Sequence, residues 1–161
     1  MQRTSLEEYG ANLMALLCHS RIRSHNPIVF AVTPPPVDDI SHAESEKKKG
    51  RPVLRNAENS KKYSDTARQV IQEAARVNSN IILIDLYEAL KAEELNGRLD
   101  HLLPDGLHMN GVASKIFFDL VARHFEARGE DDREGYALPD FKEAPSKHAR
   151  PHLGLKWLSR V

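Results

Sequence analysis

Asp105 and His108 are the residues whose types and spacing point most directly to chemistry. They lie in "LLPDGLHMNG" (102–111), straight after a proline and straight before a helical pattern. A histidine that serves as a general base must hold one tautomer and one orientation. A carboxylate on its Nδ1–H supplies both, and stabilises the imidazolium formed in the reaction. With Gly106 between them to allow a tight turn, Asp105 reaches back to His108. Nε2 is then left to deprotonate a nucleophile, most often a serine hydroxyl. Two other readings compete. Asp-x-x-His is a short pattern, and a histidine near a helix start is often a capped structural residue. A metal site from His101, Asp105 and His108 is a third reading, but the spacing from 101 to 108 matches no familiar ligand pattern. Neither a metal nor a cofactor is expected.

Such a pair needs a scaffold, and the sequence suggests one. Residues 5–23 carry a helical pattern: Ser5 and Glu8 form a capping box, and Leu6, Tyr9, Leu13, Leu16 and Leu17 fall on one face. Gly10 weakens that helix modestly. Residues 28–32 are continuously apolar and rich in β-branched side chains, as in a strand covered on both faces. Pro34, Pro35 and Pro36 end it, since none can donate to a ladder. Residues 38–58 are polar and of mixed charge and read as a long loop. In it the basic cluster Lys47, Lys48, Lys49 and Arg51 is a solvated face.

A clear amphipathic helix follows over 59–78, with Tyr63, Ala67, Val70, Ile71, Ala74 and Val77 on its apolar face. A second buried-type strand is expected over 81–84. Asp85 at its end caps a short helix, and Asn96-Gly97 is a turn. Asn110 caps a last helix whose apolar face carries Val112, Ile116, Phe117, Leu120, Val121 and Phe125. Beyond residue 127 the periodicity fades. Residues 128–161 are expected to be a poorly packed or disordered tail, with Trp157 docking locally. Strands alternating with amphipathic helices predict an α/β fold with parallel strands and right-handed crossovers. In such sheets ligands gather at the carboxyl ends of the strands, which is where the Asp105–His108 loop and the proline segment both fall.

Bulk properties narrow the functional classes. The chain has 161 residues, enough for one domain with a core, and 23 basic residues balance 23 acidic ones. That balance argues against a dedicated nucleic-acid binder. The single cysteine, Cys18, excludes an intramolecular disulfide framework and reads as a small packed residue. No run approaches the length of a membrane span and the N-terminus has no signal-peptide pattern, so a cytoplasmic protein is expected.

"DGLHMNGVASKIFF" together with "VTPPPVDD" resembles the C-terminal half of SGNH (GDSL-type) hydrolases, most closely the isoamyl acetate-hydrolysing esterase group. Asn59 and Tyr63, Asp85-Leu86 and "LEEYGANL" extend the likeness over residues 6–125. Ala113 stands where the family usually has glycine. The resemblance implies Asp105 as the His-orienting acid, His108 as catalytic base, and a flavodoxin-like three-layer α/β/α fold. It implies a small-molecule ester, of the acetate type, as substrate, with Pro34, Pro35 and Pro36 in a rigid pocket wall. The family's Gly-Asp-Ser nucleophile block and its glycine and Gly-x-Asn-Asp oxyanion-hole blocks have no counterpart in the sequence.

On this likeness the chain is expected to be an incomplete fold that lacks the N-terminal strands, the product of a truncated gene or gene model. It is expected to be inactive alone, since each lost oxyanion donor costs about 3–4 kcal/mol in the transition state. Its bare sheet edge would favour self-association. Ser41, Ser45, Ser60, Ser64 and Ser114 are the local serines, and none is expected within reach of His108. The alternative is a non-catalytic remnant or interaction module of the same fold.

Overall fold

The computed structural model describes residues 4–126. The expected tail, 128–161 with Trp157, lies outside them.

The first helix begins where Ser5 caps it. The Ser5 hydroxyl accepts the Glu8 backbone N–H at 3.1 Å. The single helix expected over 5–23 is instead two. α1 (Leu6–Leu17) stops at Cys18, and α2 (Ser20–His25) restarts with His19 as its cap. α1 presents the expected face in part. Leu6 and Leu16 are exposed, while Tyr9, Leu13, Met14 and Leu17 pack inward. Gly10 sits at the centre of that face. A Cβ there would lie 3.2 Å from the Thr66 side chain, so the glycine lets α1 close on the long helix beside it.

Strand β1 (Val29–Val32) pairs in parallel with β2 (Ile81–Ile84), Val29 opposite Ile81 and Val32 opposite Ile84. Between them run α3 (Asp39–Lys48) and α4 (Ala57–Val77). α3 corrects the expectation of a long loop over 38–58. It carries no apolar stripe and buries only Ser41 and His42, so its pattern looked like solvated chain. What starts it is the Asp38 cap, whose Oδ1 accepts the Ser41 N–H at 2.9 Å. α4 matches the expected amphipathic helix and buries Ser64, Ala67, Ile71 and Ala74, although Val77 lies exposed. After β2 come α5 (Leu86–Lys91), the 96–97 turn, and α6 (Gly111–Glu126). Asp85 caps α5 and Asn110 caps α6, as expected. On α6, Val112 is exposed rather than packed.

Two apolar clusters hold the elements together. In one, Ala31 and Ile81 of the strands meet Leu17 of α1 and Ala67, Ile71 and Ala74 of α4. In the other, Leu86 and Leu90 of α5 meet Leu99, Leu102, Leu103 and Ala113. A fully buried side chain such as Ile71 or Leu103 contributes about 1.5–3 kcal/mol. The second cluster therefore fastens the 99–109 loop by three leucines. The result is a partial α/β fold whose sheet, among the described residues, has two parallel strands.

The carboxyl ends of the strands are tied by polar groups. The buried Thr33 hydroxyl donates to Asp85 Oδ1 at 3.1 Å and accepts the Tyr87 N–H at 3.0 Å. Arg68 of α4 meets Asp85 with two nitrogens, at 2.6 and 3.2 Å, and also reaches Asp65 and Glu88. Burial works to raise the Asp85 pKa, but Arg68 and the Glu88 N–H outweigh it and hold the carboxyl below its ordinary value. Asp85 thus joins α4, α5 and both strand ends.

Candidate active site

The loop that carries Asp105 and His108 is built from short turns. Leu102 and Leu103 both donate to the Leu99 carbonyl, and Gly106 donates to that of Leu103. Asn110 closes the segment: its N–H donates to Leu102 O at 3.0 Å and its side-chain amide to His101 O at 2.7 Å. Gly106 has φ +75°, a conformation that favours glycine.

Asp105 then holds His108 at three points. Its Oδ1 accepts the Leu107 N–H at 3.1 Å and the His108 N–H at 2.8 Å. Its Oδ2 lies 2.7 Å from His108 Nδ1. Partial burial works to raise the Asp105 pKa. The His108 backbone N–H, the His108 ring and the Leu107 N–H together outweigh it and keep the carboxyl well below the usual carboxylate range. Asp105 is therefore ionised at neutral pH. The ring nitrogen engaged by Asp105 is Nδ1, and a carboxylate there favours the tautomer with the proton on that nitrogen. The His108 side chain is 77% exposed, so the ring is open to solvent.

Of the proline run, Pro34 and Pro35 are half-buried. Pro36 is fully buried and the Pro35 carbonyl accepts the Ser60 hydroxyl at 2.7 Å, so the proline run braces the start of α4. His101 lies 4.0 Å from Asp100 rather than beside Asp105. Among the described residues no group of three His, Cys, Asp or Glu side chains is placed to hold a metal. Ser41 donates its backbone N–H to Asp38, Ser60 serves Pro35, and the buried Ser64 hydroxyl has no hydrogen-bond partner. None of the hydrogen bonds among the described residues joins a serine to the His108 ring.

Sequence reasoning missed Asp38 and Arg98. The buried Asp38 carboxylate accepts the Leu99 N–H at 2.7 Å and Arg98 Nε at 3.2 Å, besides the Ser41 N–H. Arg98 also reaches the Ser41 hydroxyl at 3.0 Å. The available signal was an aspartate three residues before Ser41, directly after the prolines, which is where a helix cap belongs.

No protein-family model matches the chain. Two GDSL esterase/lipases of Arabidopsis thaliana are similar to it. One is 27% identical over 131 residues, which cover 80% of this chain and 51% of the relative. The other is 28% identical over 142 residues, covering 86% of this chain and 54% of the relative. The similarity is to GDSL hydrolases. The chain spans about half the length of the curated relatives it matches. Both relatives support the hydrolase and esterase family named from the sequence, and neither distinguishes the isoamyl acetate group within it.

Proposed function

We propose that this chain carries the acid and base of a GDSL-type carboxylic ester hydrolase, with Asp105 orienting and His108 accepting the proton of a serine nucleophile. The observation that carries the reading is the 2.7 Å contact between Asp105 Oδ2 and His108 Nδ1, in a loop that leaves the ring open to solvent. In the reaction, Nε2 takes the hydroxyl proton as the serine attacks the ester carbonyl. The imidazolium so formed is stabilised by Asp105 and returns the proton to the leaving alcohol. Water then repeats the cycle on the acyl-enzyme. The substrate class is a small-molecule ester, of the acetate type by resemblance to the isoamyl acetate-hydrolysing group.

No serine among the described residues is bonded to the His108 ring, and the nucleophile and oxyanion-hole blocks of the resembled family have no counterpart in the sequence. The chain as given is therefore proposed to be inactive by itself. The experiment is turnover of p-nitrophenyl acetate by the full chain against a His108→Ala control. The expected result is no difference between them. Turnover clearly above the control overturns the claim of inactivity and credits a serine of this chain.

A second reading, a non-catalytic module of the same fold, is favoured by one observation: no serine hydroxyl among the described residues is bonded to the His108 ring. It would associate with itself or a partner through the sheet edge. The two readings part on the coding region upstream of Met1. An in-frame Gly-Asp-Ser block and a Gly-x-Asn-Asp block there favour the esterase.

A further inference from the structure

The Asp105–His108 loop does not stand on its own turns alone. Asp38 touches it with both its backbone and its side chain. Its backbone N–H donates to the Gly106 carbonyl at 3.0 Å, and its carbonyl accepts the His42 N–H at 2.9 Å as α3 begins. The approach is so close that a Cβ on Gly106 would fall 2.2 Å from the His42 nitrogen and 2.4 Å from the Asp38 oxygen. The Asp38 side chain reaches the other end of the same loop through the Leu99 N–H at 2.7 Å, and is held there by Arg98 Nε at 3.2 Å. One residue therefore grips the segment at both 99 and 106, on either side of the buried Leu102 and Leu103 and immediately next to Asp105.

We propose that Asp38 is a positioning residue for the Asp105–His108 pair: by holding residues 99 and 106 against the first turn of α3, it fixes the backbone from which Asp105 reaches the His108 ring. This rests on the reading of Asp105 and His108 as the acid–base pair, and it adds a residue that acts through them. The division of labour follows from the two oxygens. Oδ1 serves α3 through the Ser41 N–H, and Oδ2 serves the loop through Leu99 and Arg98. An asparagine in place of Asp38 can still cap α3 through its carbonyl oxygen. It turns an NH2 group toward Leu99 and Arg98, where two donors then face a donor. The substitution thus spares the helix and the backbone bond to Gly106, and releases the loop at Leu99.

The test is nitrogen NMR of the His108 ring in the full chain, at a pH where the ring is neutral, since the two ring nitrogens report which one bears the proton. The wild-type ring is expected in the Nδ1–H tautomer. In Asp38→Asn, with core signals of Ala67 and Ile71 unchanged, the Nδ1–H fraction is expected to fall by about half as the ring drifts toward the Nε2–H form. Should Asp38→Asn fail to fold, Arg98→Gln decides, because it loosens the same oxygen while leaving the cap intact. The expected result there is a smaller fall in the same direction. A folded Asp38→Asn protein, or failing that Arg98→Gln, with wild-type tautomer populations overturns the inference. A wild-type ring already in the Nε2–H form sinks the acid–base reading and this inference with it. Turnover is not the readout, so an inactive chain leaves the result interpretable.

Discussion

Asp38 and Asp105 perform the same local task and differ in what their second oxygen holds. Each accepts with Oδ1 the backbone N–H three residues ahead, Ser41 in one case and His108 in the other. The Asp38 Oδ2 is spent on a backbone N–H and a guanidinium, and the residue is 5% exposed. The Asp105 Oδ2 meets an imidazole that is largely open to water. An aspartate with both oxygens committed to backbone and guanidinium donors of the fold is an anchor. An aspartate with one oxygen on a mobile-proton group at the surface is equipped for acid–base work. The same residue type therefore takes two roles, set by the partner of one atom.

The comparison breaks most visibly at the anchor. Asp38→Ala removes the α3 cap and leaves the buried Leu99 N–H and the Arg98 Nε–H without the acceptor they share. The expected loss is about 3 kcal/mol of unfolding free energy, measured by urea titration. The same anchor predicts acid sensitivity. Burial works to raise the Asp38 pKa, but the Leu99 and Ser41 N–H groups and Arg98 bring it below its ordinary value. A depressed folded pKa contributes stability that is present above the unfolded value of about 3.9 and is lost as pH falls through the folded value. Stability should therefore decline below about pH 4, and less steeply in Asp38→Asn. Gly106→Ala comes next. It meets both a positive φ and the backbone of α3, and should cost about 2 kcal/mol in the same assay. His108→Ala is the smallest. With the ring so exposed, it should shift stability by no more than about 0.5 kcal/mol, which is the mark of a residue kept for something other than the fold.

Much of the scaffold was legible because it is written locally. The second strand is apolar and ends at Asp85, the α4 stripe recurs at helical spacing, and Asn110 precedes its helix as a cap should. Asp105 and His108 were legible for the same reason: they are three residues apart and their hydrogen bonds are local. What could not be read depends on distant partners. α3 buries polar Ser41 and His42 against a loop that arrives some sixty residues later, and periodicity cannot announce such a helix. Leu16 and Val77 fit the apolar pattern yet lie exposed, while Gly10, which a hydrophobic pattern passes over, stands at the close approach of α1 to α4. The proline run signalled a strand end correctly. Its use of Pro35 as an acceptor for Ser60 is again a tertiary fact.

The central claim is that Asp105 is held ionised against the His108 ring. It is tested most directly by following the Asp105 carboxyl carbon by NMR through an acid titration of the full chain and of His108→Ala. The account predicts a wild-type midpoint well below the usual carboxylate range, and a higher midpoint in His108→Ala, where the ring is gone and the backbone donors remain. An Asp105 that titrates near about 3.9 in both proteins contradicts it.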